Sequence, residues 1–136
     1  MKGVPMKTSK AQELARRIDE HGRELLRLFP NATERDPAKL CKRLRRIELE
    51  GAAFALRLCN GPEFDSPEAE DLEGDRILAK VRALLRPESQ GVPIFLNRDP
   101  RGYALKIESD WATVHAPKLH RDRGGYGILA PDLRDN

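Results

Sequence analysis

The sequence predicts an α+β fold in which about three N-terminal helices pack on a small C-terminal antiparallel β-sheet, made of a hairpin and a third strand. Up to residue 87, apolar residues recur at the three- and four-residue spacing of amphipathic helices. From residue 91 onward, apolar residues alternate with polar ones, which is the pattern of strands. This order of helices first and strands afterwards favours the α+β class. We expect one domain over residues 1–136, with the helical part at about 8–87 and the β part at about 91–131.

Three segments carry the residue types that begin and end helices. The first helix is predicted from about Ser9 to Phe29. The second begins after Asp36-Pro37, an N-cap followed by proline at the first helical position, and ends at Asn60-Gly61. Ser66-Pro67 caps a third helix, which Pro87 ends. The predicted buried faces of the three helices are Leu14/Ile18/Leu25, Leu44/Ile47/Leu58 and Ile77/Val81/Leu84.

The β part centres on a predicted hairpin between Val92 and Glu108. Two alternating runs flank Asp99-Pro100-Arg101-Gly102, whose residue types suit a tight turn with Gly102 in the left-handed conformation. After the hairpin, 109–112 is predicted as a short helical turn or a strand extension, and 126–130 as the third strand. The intervening residues are expected to form a loop.

Composition bounds the class of protein but does not identify a partner. Hydrophobic residues make up 39% of the chain and charged residues 35%, as in soluble globular proteins. The balance of 25 basic and 22 acidic residues gives a net charge of +3, too small to predict nucleic-acid binding by itself. Cys41 and Cys59 lie 18 residues apart in one predicted helix, so they cannot form a disulfide and are expected to be two buried thiols. Lacking an apolar run long enough to span a membrane, the chain is expected to have no membrane partner and to be cytoplasmic.

The first candidate binding surface is a basic row at the start of the second helix. It comprises Lys39, Lys42, Arg43 and Arg46, with no acidic residue between them, and Arg57 falls on the same helical face. Such a row can follow a phosphate backbone. The alternative is an ordinary solvated helix face, on which Arg46 and Glu50 would form a weak pair. Cations near a helix N-terminus oppose the helix dipole, which slightly favours a functional reason for the row.

The second candidate surface surrounds the predicted hairpin tip. We define the hairpin cluster as Arg98, Asp99, Arg101, Tyr103 and Lys106, and further cations follow at Lys118, His120, Arg121 and Arg123. Aromatic residues interleave with these cations, namely Tyr103, Trp111 and Tyr126. Rings beside cations can stack on unpaired bases or form hot spots in protein interfaces, and they can equally be core residues.

Metal-binding and catalytic motifs are weak in this sequence. Asp110, His115, His120 and Asp122 could form a metal or acid–base site, but their spacing matches no standard zinc pattern. The sequence contains no nucleotide-binding glycine loop, metalloprotease motif or nucleophile elbow. We therefore interpret the four residues as exposed loop residues, and predict neither a metal nor a cofactor.

Part of the chain resembles a family of small proteins of unknown function that phages, prophages and other mobile elements encode. The resemblance lies in Pro-Ile-Phe-Leu-Asn-Arg-Asp-Pro-Arg-Gly-Tyr-Ala-Leu-Lys-Ile at 93–107 and Arg-Asp-Arg-Gly-Gly-Tyr-Gly-Ile-Leu-Ala-Pro at 121–131. A shorter similarity, Leu-Cys-Asn-Gly at 58–61, precedes them. The resemblance implies an accessory role in phage–host conflict or phage nucleic-acid handling, in the host-cell cytoplasm. It supplies no catalytic residues.

Two functional hypotheses follow from these observations. The first is a non-enzymatic accessory protein that binds nucleic acid or a host protein handling nucleic acid, with counter-defence as one such role. The alternative is a small enzyme acting on nucleotides or phosphodiesters through Asp99, Arg101, Tyr103 and Lys106. Catalysis needs a partly desolvated cleft, and an exposed hairpin tip excludes water poorly. Binding is therefore the favoured hypothesis, and the oligomeric state is left open.

Overall fold

The computed structural model describes residues 9–61 and 64–134 and places helices on a four-stranded antiparallel sheet. The α+β class is thus confirmed, but two further short helices and a fourth strand join the three helices and three strands that were predicted. The helices are α1 (Lys10–Leu28), α2 (Pro37–Asn60), α3 (Pro67–Leu85), α4 (Ser109–His115) and the one-turn α5 (Pro131–Arg134), and a 3₁₀ turn spans Pro87–Gln90. The strands are β1 (Ile94–Leu96), β2 (Leu105–Ile107), β3 (His120–Asp122) and β4 (Gly125–Gly127).

Side-chain caps begin the three long helices, and the caps of the second and third helices are the ones that the sequence predicted. Ser9 and Gln12 form a reciprocal capping box at the start of α1. The carboxylate of Asp36 accepts a hydrogen bond of 3.0 Å from the backbone N–H of Lys39 at the start of α2. Ser66 accepts a bond of 3.2 Å from the N–H of Ala69 at the start of α3. Each cap satisfies a donor that the helix itself leaves unpaired, so these helix starts are encoded locally.

The sheet has the strand order β1-β2-β4-β3, and every neighbouring pair is antiparallel. Strand β2 lies inside the sheet, with Lys106 opposite Phe95 of β1 and opposite Gly127 of β4. Strand β3 is an addition to the prediction, since its residues were expected to lie in a loop. Its sequence, His-Arg-Asp, has no apolar alternation, and its pairing with β4 comes from the turn between them.

The hairpin between β1 and β2 is wider than the predicted four-residue turn. Both strands are three residues long, and the N–H of Asn97 donates to the carbonyl of Ala104 at 2.6 Å beyond their ends. Inside this loop the side chain of Asn97 donates to the carbonyl of Asp99 at 2.8 Å. The turn at Pro100-Arg101 is therefore the tip of a longer loop that its own side chains brace.

The core lies between the helices and one face of the sheet. Leu25, Phe29, Leu44, Phe54 and Leu105 have no exposed surface, and the predicted face of α3 is buried as well. Gly51 allows α2 to lie close to the hairpin, because a Cβ there would come within 2.7 Å of Cδ1 of Leu96. Cys41 is buried as predicted, whereas Cys59 is exposed, contrary to the prediction.

Candidate functional site

Arg98 is held by acidic residues of a neighbouring helix. Its Nη1 lies 2.9 Å from Oε1 of Glu70 and 3.6 Å from Oδ1 of Asp71, both on α3. Its guanidinium also lies over the ring of Phe54, 5.6 Å from the centroid. Arg98 therefore links the hairpin to α3, and a phosphate would have to compete with two carboxylates for it.

Arg101 and Asp99 neutralise each other at the tip of the hairpin. Asp99 accepts a 3.0 Å hydrogen bond from the backbone N–H of Arg101, and Nη2 of Arg101 lies 2.7 Å from its Oδ2. The hydrogen bonds from the side chain and backbone of Arg101 lower the pKa of Asp99 to about 2. The pair fixes the shape of the loop, and its net charge is zero at neutral pH.

Tyr103 and Lys106, the remaining members of the hairpin cluster, are buried. Tyr103 is 3% exposed and its ring lies edge-on to His120, with 5.5 Å between ring centroids. Lys106 has no exposed surface, and its Nζ donates to the carbonyl of Arg123. The prediction that these two side chains contact a partner is corrected, because neither reaches the protein surface. The hairpin cluster consequently does not converge on a cleft of the kind that the enzyme hypothesis requires.

Asp122 is the acidic partner of the buried lysine. Its Oδ2 lies 3.8 Å from Nζ of Lys106 and accepts a 3.1 Å hydrogen bond from the N–H of Tyr103. Its Oδ1 accepts a 2.7 Å bond from the N–H of Arg123. Burial raises the pKa of Asp122, but the two backbone N–H groups and the Lys106 charge outweigh it, so the pKa lies below its ordinary value.

Gly102 is required for close packing rather than for backbone conformation. The prediction of a left-handed Gly102 is wrong, since the glycines at positive φ are Gly61, Gly91 and Gly124 among the described residues. A Cβ on Gly102 would lie 2.8 Å from Oδ2 of Asp122 and 2.9 Å from Nζ of Lys106. The glycine therefore leaves room for the buried ion pair.

Gly102→Ala is expected to destabilise the protein by about 1–3 kcal/mol, because the added methyl group crowds the buried ion pair. Urea denaturation followed by circular dichroism measures the change. The backbone of Gly102 is not at positive φ, so the cost is steric and arises at Lys106 and Asp122. An unchanged midpoint would show that the loop relaxes away from the pair without cost.

Arg121 and Arg123 are the exposed cations of the second surface. Arg121 lies on β3 opposite Tyr126, and Arg123 follows in the turn to β4. Neither guanidinium makes an ion pair with an acidic residue in the described part of the chain. They remain available to a partner, and the charge of Arg123 also acts on Asp99, which Arg101 already balances.

The basic row lies on the exposed side of α2. Lys39, Lys42, Arg43 and Arg46 are all exposed, and within the described ranges the row makes one ion pair, 3.4 Å between Nε of Arg43 and Oε1 of Glu34. Arg57, predicted on the same face, instead pairs with Glu73 at 3.0 Å near the far end of α2.

The two sides of the basic row face different neighbours. Arg43 and Arg46 line a groove of about 490 Å³ between α2 and α3, together with Lys80 and four further residues, Thr33, Ile47, Ala83 and Leu84. The predicted pair of Arg46 with Glu50 does not form, because Glu50 accepts hydrogen bonds from Lys80 at 2.8 and 3.0 Å. On the other side of α2, Lys42 lines a pocket to which Ile18 of α1 also contributes.

The four candidate metal or acid–base residues have separate surroundings. Asp110 and His115 lie on α4, where the ring of His115 packs on Trp111 with 4.5 Å between centroids. His120 contacts Tyr103, and Asp122 is bound to Lys106. Across residues 9–61 and 64–134, no three His, Cys, Asp or Glu side chains are grouped so that they could hold a metal ion.

Within the described residues, no helix is both long and apolar enough to cross a membrane. In comparisons with known proteins, no family model matches the chain, and no curated protein or solved structure matches it.

Proposed function

We propose that this protein is a non-enzymatic binding protein that contacts the phosphate backbone of a double-stranded nucleic acid through the basic row of α2. The observation that carries the proposal is the contrast between the basic row and the two arginines of the hairpin cluster. Arg98 and Arg101 are matched by carboxylates, whereas the four cations of the basic row share one 3.4 Å ion pair among the described residues. Exposed cations without counter-ions gain most from neutralising phosphates, since no internal pair must be broken first.

The groove beside α2 supports a backbone contact. Arg43 and Arg46 stand on one wall and Lys80, which Glu50 already pairs, on the other, around an open volume of about 490 Å³. Lys39 and Lys42 continue the positive surface along the exposed side of the same helix. A helix that carries cations over two to three turns beside an open groove can follow successive phosphates of one strand.

The placement of the aromatic residues favours a duplex over a single strand. Proteins that bind single strands stack bases on exposed rings. Tyr103 and Tyr126 are 3% and 6% exposed, and every other aromatic side chain in the described ranges is buried or half-buried. A duplex keeps its bases stacked internally, so it needs no such rings. Contacts of this kind are insensitive to sequence, because phosphates carry no base information.

The biological setting is proposed from the resemblance of 93–107 and 121–131 to small phage, prophage and mobile-element proteins. An accessory protein of this kind would act in the host-cell cytoplasm, where it meets both phage and host nucleic acid. A host protein that handles nucleic acid is the competing partner. Its expected signature is weak binding to every oligonucleotide together with recovery of one host protein through the same cations.

The proposal predicts a salt-dependent affinity that the basic row controls. Fluorescence anisotropy with a labelled 20-base-pair duplex should give a linear plot of log affinity against log salt concentration. Lys39→Gln and Arg46→Gln together should reduce the slope by roughly 0.9 for each cation that contacts a phosphate. A single strand of the same length should bind more weakly than the duplex.

Arg98→Gln with Arg101→Gln is the matched control, because it also removes two arginines but from charges that carboxylates already balance. This variant should keep the slope of the native protein, and its thermal melt verifies that it is folded. Duplex binding that persists unchanged in the Lys39/Arg46 variant, or that is lost in the Arg98/Arg101 variant alone, would overturn the assignment of the site. A slope near zero for the native protein would overturn the proposed function itself.

A further inference from the structure

A second pocket opens on the opposite side of α2 from the groove. It has a volume of about 220 Å³ and lies between α1, α2 and the C-terminal segment. Its lining residues are Ile18, Cys41, Lys42, Arg45, Leu129 and Leu133. For scale, an engineered apolar cavity of about 150 Å³ in another protein is large enough to hold benzene.

Apolar side chains and a neutral thiol form most of the wall of this pocket. Ile18, Leu129 and Leu133 supply aliphatic surface from three different segments. Cys41 completes the wall, and its thiol donates a 3.3 Å hydrogen bond to the carbonyl of Ile18. Burial raises the pKa of this thiol to about 12, so it is neutral at physiological pH. An apolar molecule of matching size would displace water from surfaces that offer it few hydrogen bonds.

Two cations stand beside these apolar walls. Lys42 is exposed, and Arg45 is half-buried with its Nη1 donating to the carbonyl of Leu133. That hydrogen bond holds the guanidinium next to the pocket. Neither side chain forms an ion pair with an acidic residue in the described part of the chain, and no carboxylate lines the pocket. The charge of Asp19 also acts on Cys41, but Asp19 is paired with Arg23 at 2.7 Å, so the net charge beside the pocket is positive and selects for an anionic ligand group.

We propose that this pocket binds a small carboxylate whose apolar body has about six to eight carbon atoms, given the volume of the pocket. The apolar body would lie against Ile18, Leu129 and Leu133, and the carboxylate would face Lys42 and Arg45. Each methylene that enters the pocket should strengthen binding about fourfold until the volume is filled. The pocket lies outside the groove proposed for nucleic acid, and Lys42 is the residue that the two surfaces share.

Isothermal titration calorimetry at pH 7 with octanoate, octanol, octylamine and butyrate tests the proposal. Octanoate should bind most tightly, because it has both the apolar body and the charge that the cations select. Octanol should bind at least tenfold more weakly, butyrate more weakly still, and octylamine not at all. In the native protein labelled at its methyl groups, octanoate should shift the NMR signals of Ile18, Leu129 and Leu133.

Three variants separate the head-group contact from the pocket. Lys42→Glu should weaken octanoate binding at least tenfold and leave octanol binding unchanged. Lys39→Glu, which reverses an exposed charge one turn earlier on the same helix but outside the lining, should leave octanoate binding unchanged. Ile18→Trp should fill the pocket and abolish binding of both octanoate and octanol.

Equal binding of octanoate and octylamine would overturn the proposed charge selection. Absence of octanoate binding, or methyl shifts confined to other parts of the protein, would overturn the pocket itself. The methyl shifts are measured on the native protein, so this result stands even if Ile18→Trp fails to fold. Lys39→Glu should weaken duplex binding without affecting octanoate binding. Ile18→Trp should abolish octanoate binding without weakening duplex binding. The failure of either proposal is thereby distinguishable from the failure of the other.

Discussion

Replacing Gly127 with alanine is expected to destabilise the protein by about 3 kcal/mol or more, which corresponds to a fall in Tm of roughly 10 °C. A Cβ at this position would lie 1.7 Å from Cδ2 of Tyr103 and 2.4 Å from its Cε2. Tyr103 is buried, and Gly127 sits inside the sheet between Lys106 and His120, so neither can move away cheaply. Differential scanning calorimetry of the two proteins measures the change.

Two further variants establish that the clash with Tyr103 is the cause. Gly74→Ala adds the same methyl group inside α3, where the nearest atom is the flexible Nη2 of Arg98 at 3.2 Å, so its Tm should change little or rise. Tyr103→Ala combined with Gly127→Ala should cost less than the sum of the two single substitutions, since the clash is then absent. Additive effects in this cycle would contradict the explanation.

The helices could be predicted because their signals are local. Ser9, Asp36 and Ser66 act within three residues of their own positions, and Pro37 and Pro67 occupy first helical positions. A cap of this kind forms the same hydrogen bond whatever surrounds the helix. The α+β class could be predicted because the helical segments come first and alternating apolar and polar residues follow from residue 91 onward. Strand β3 could not be predicted in this way, because its pairing depends on β4 rather than on its own side chains.

The burial of Lys106 could not be predicted from the alternation of apolar and polar residues, although the same alternation predicted the strand. In Leu105-Lys106-Ile107 a charged residue between apolar ones predicts a solvent-facing side chain. Lys106 is covered instead, because the end of β3 brings the Asp122 carboxylate to it and the turn that follows brings the Arg123 carbonyl. The alternation also predicted strands longer than the three residues that pair.

Part of the candidate site could be predicted from the sequence, and part of it could not. The basic row could be found because its members lie close together on one helix, and their exposure agrees with the pattern. The neutralisation of Arg98 by Glu70 was not visible, since 28 residues separate the two and only the packing of the hairpin on α3 brings them together. Gly102 and Gly127 were interpretable as turn or strand glycines, but the contacts that require them come from distant segments.

Asp122→Ala is expected to destabilise the protein by about 3 kcal/mol, because it leaves the charge of Lys106 without a counter-ion in a buried position. It also removes the acceptor for the N–H groups of Tyr103 and Arg123. Urea denaturation at pH 7 measures the loss. Asp99→Asn, at the exposed tip of the same hairpin, is the matched control and should have a much smaller effect.

The loss of unfolding free energy that Asp122→Ala causes should become smaller as the pH falls. The pKa of Asp122 is lower in the folded protein than in the unfolded chain, so the unfolded chain binds more protons near that pKa. The stability that the carboxylate contributes is therefore fully present above the ordinary aspartate pKa of about 4 and is lost as the pH falls through the folded value. The difference in unfolding free energy between the native protein and the variant should be constant from pH 5 to 7 and shrink below about pH 4. A difference that grows on acidification would mean that Asp122 is not held as a carboxylate beside Lys106.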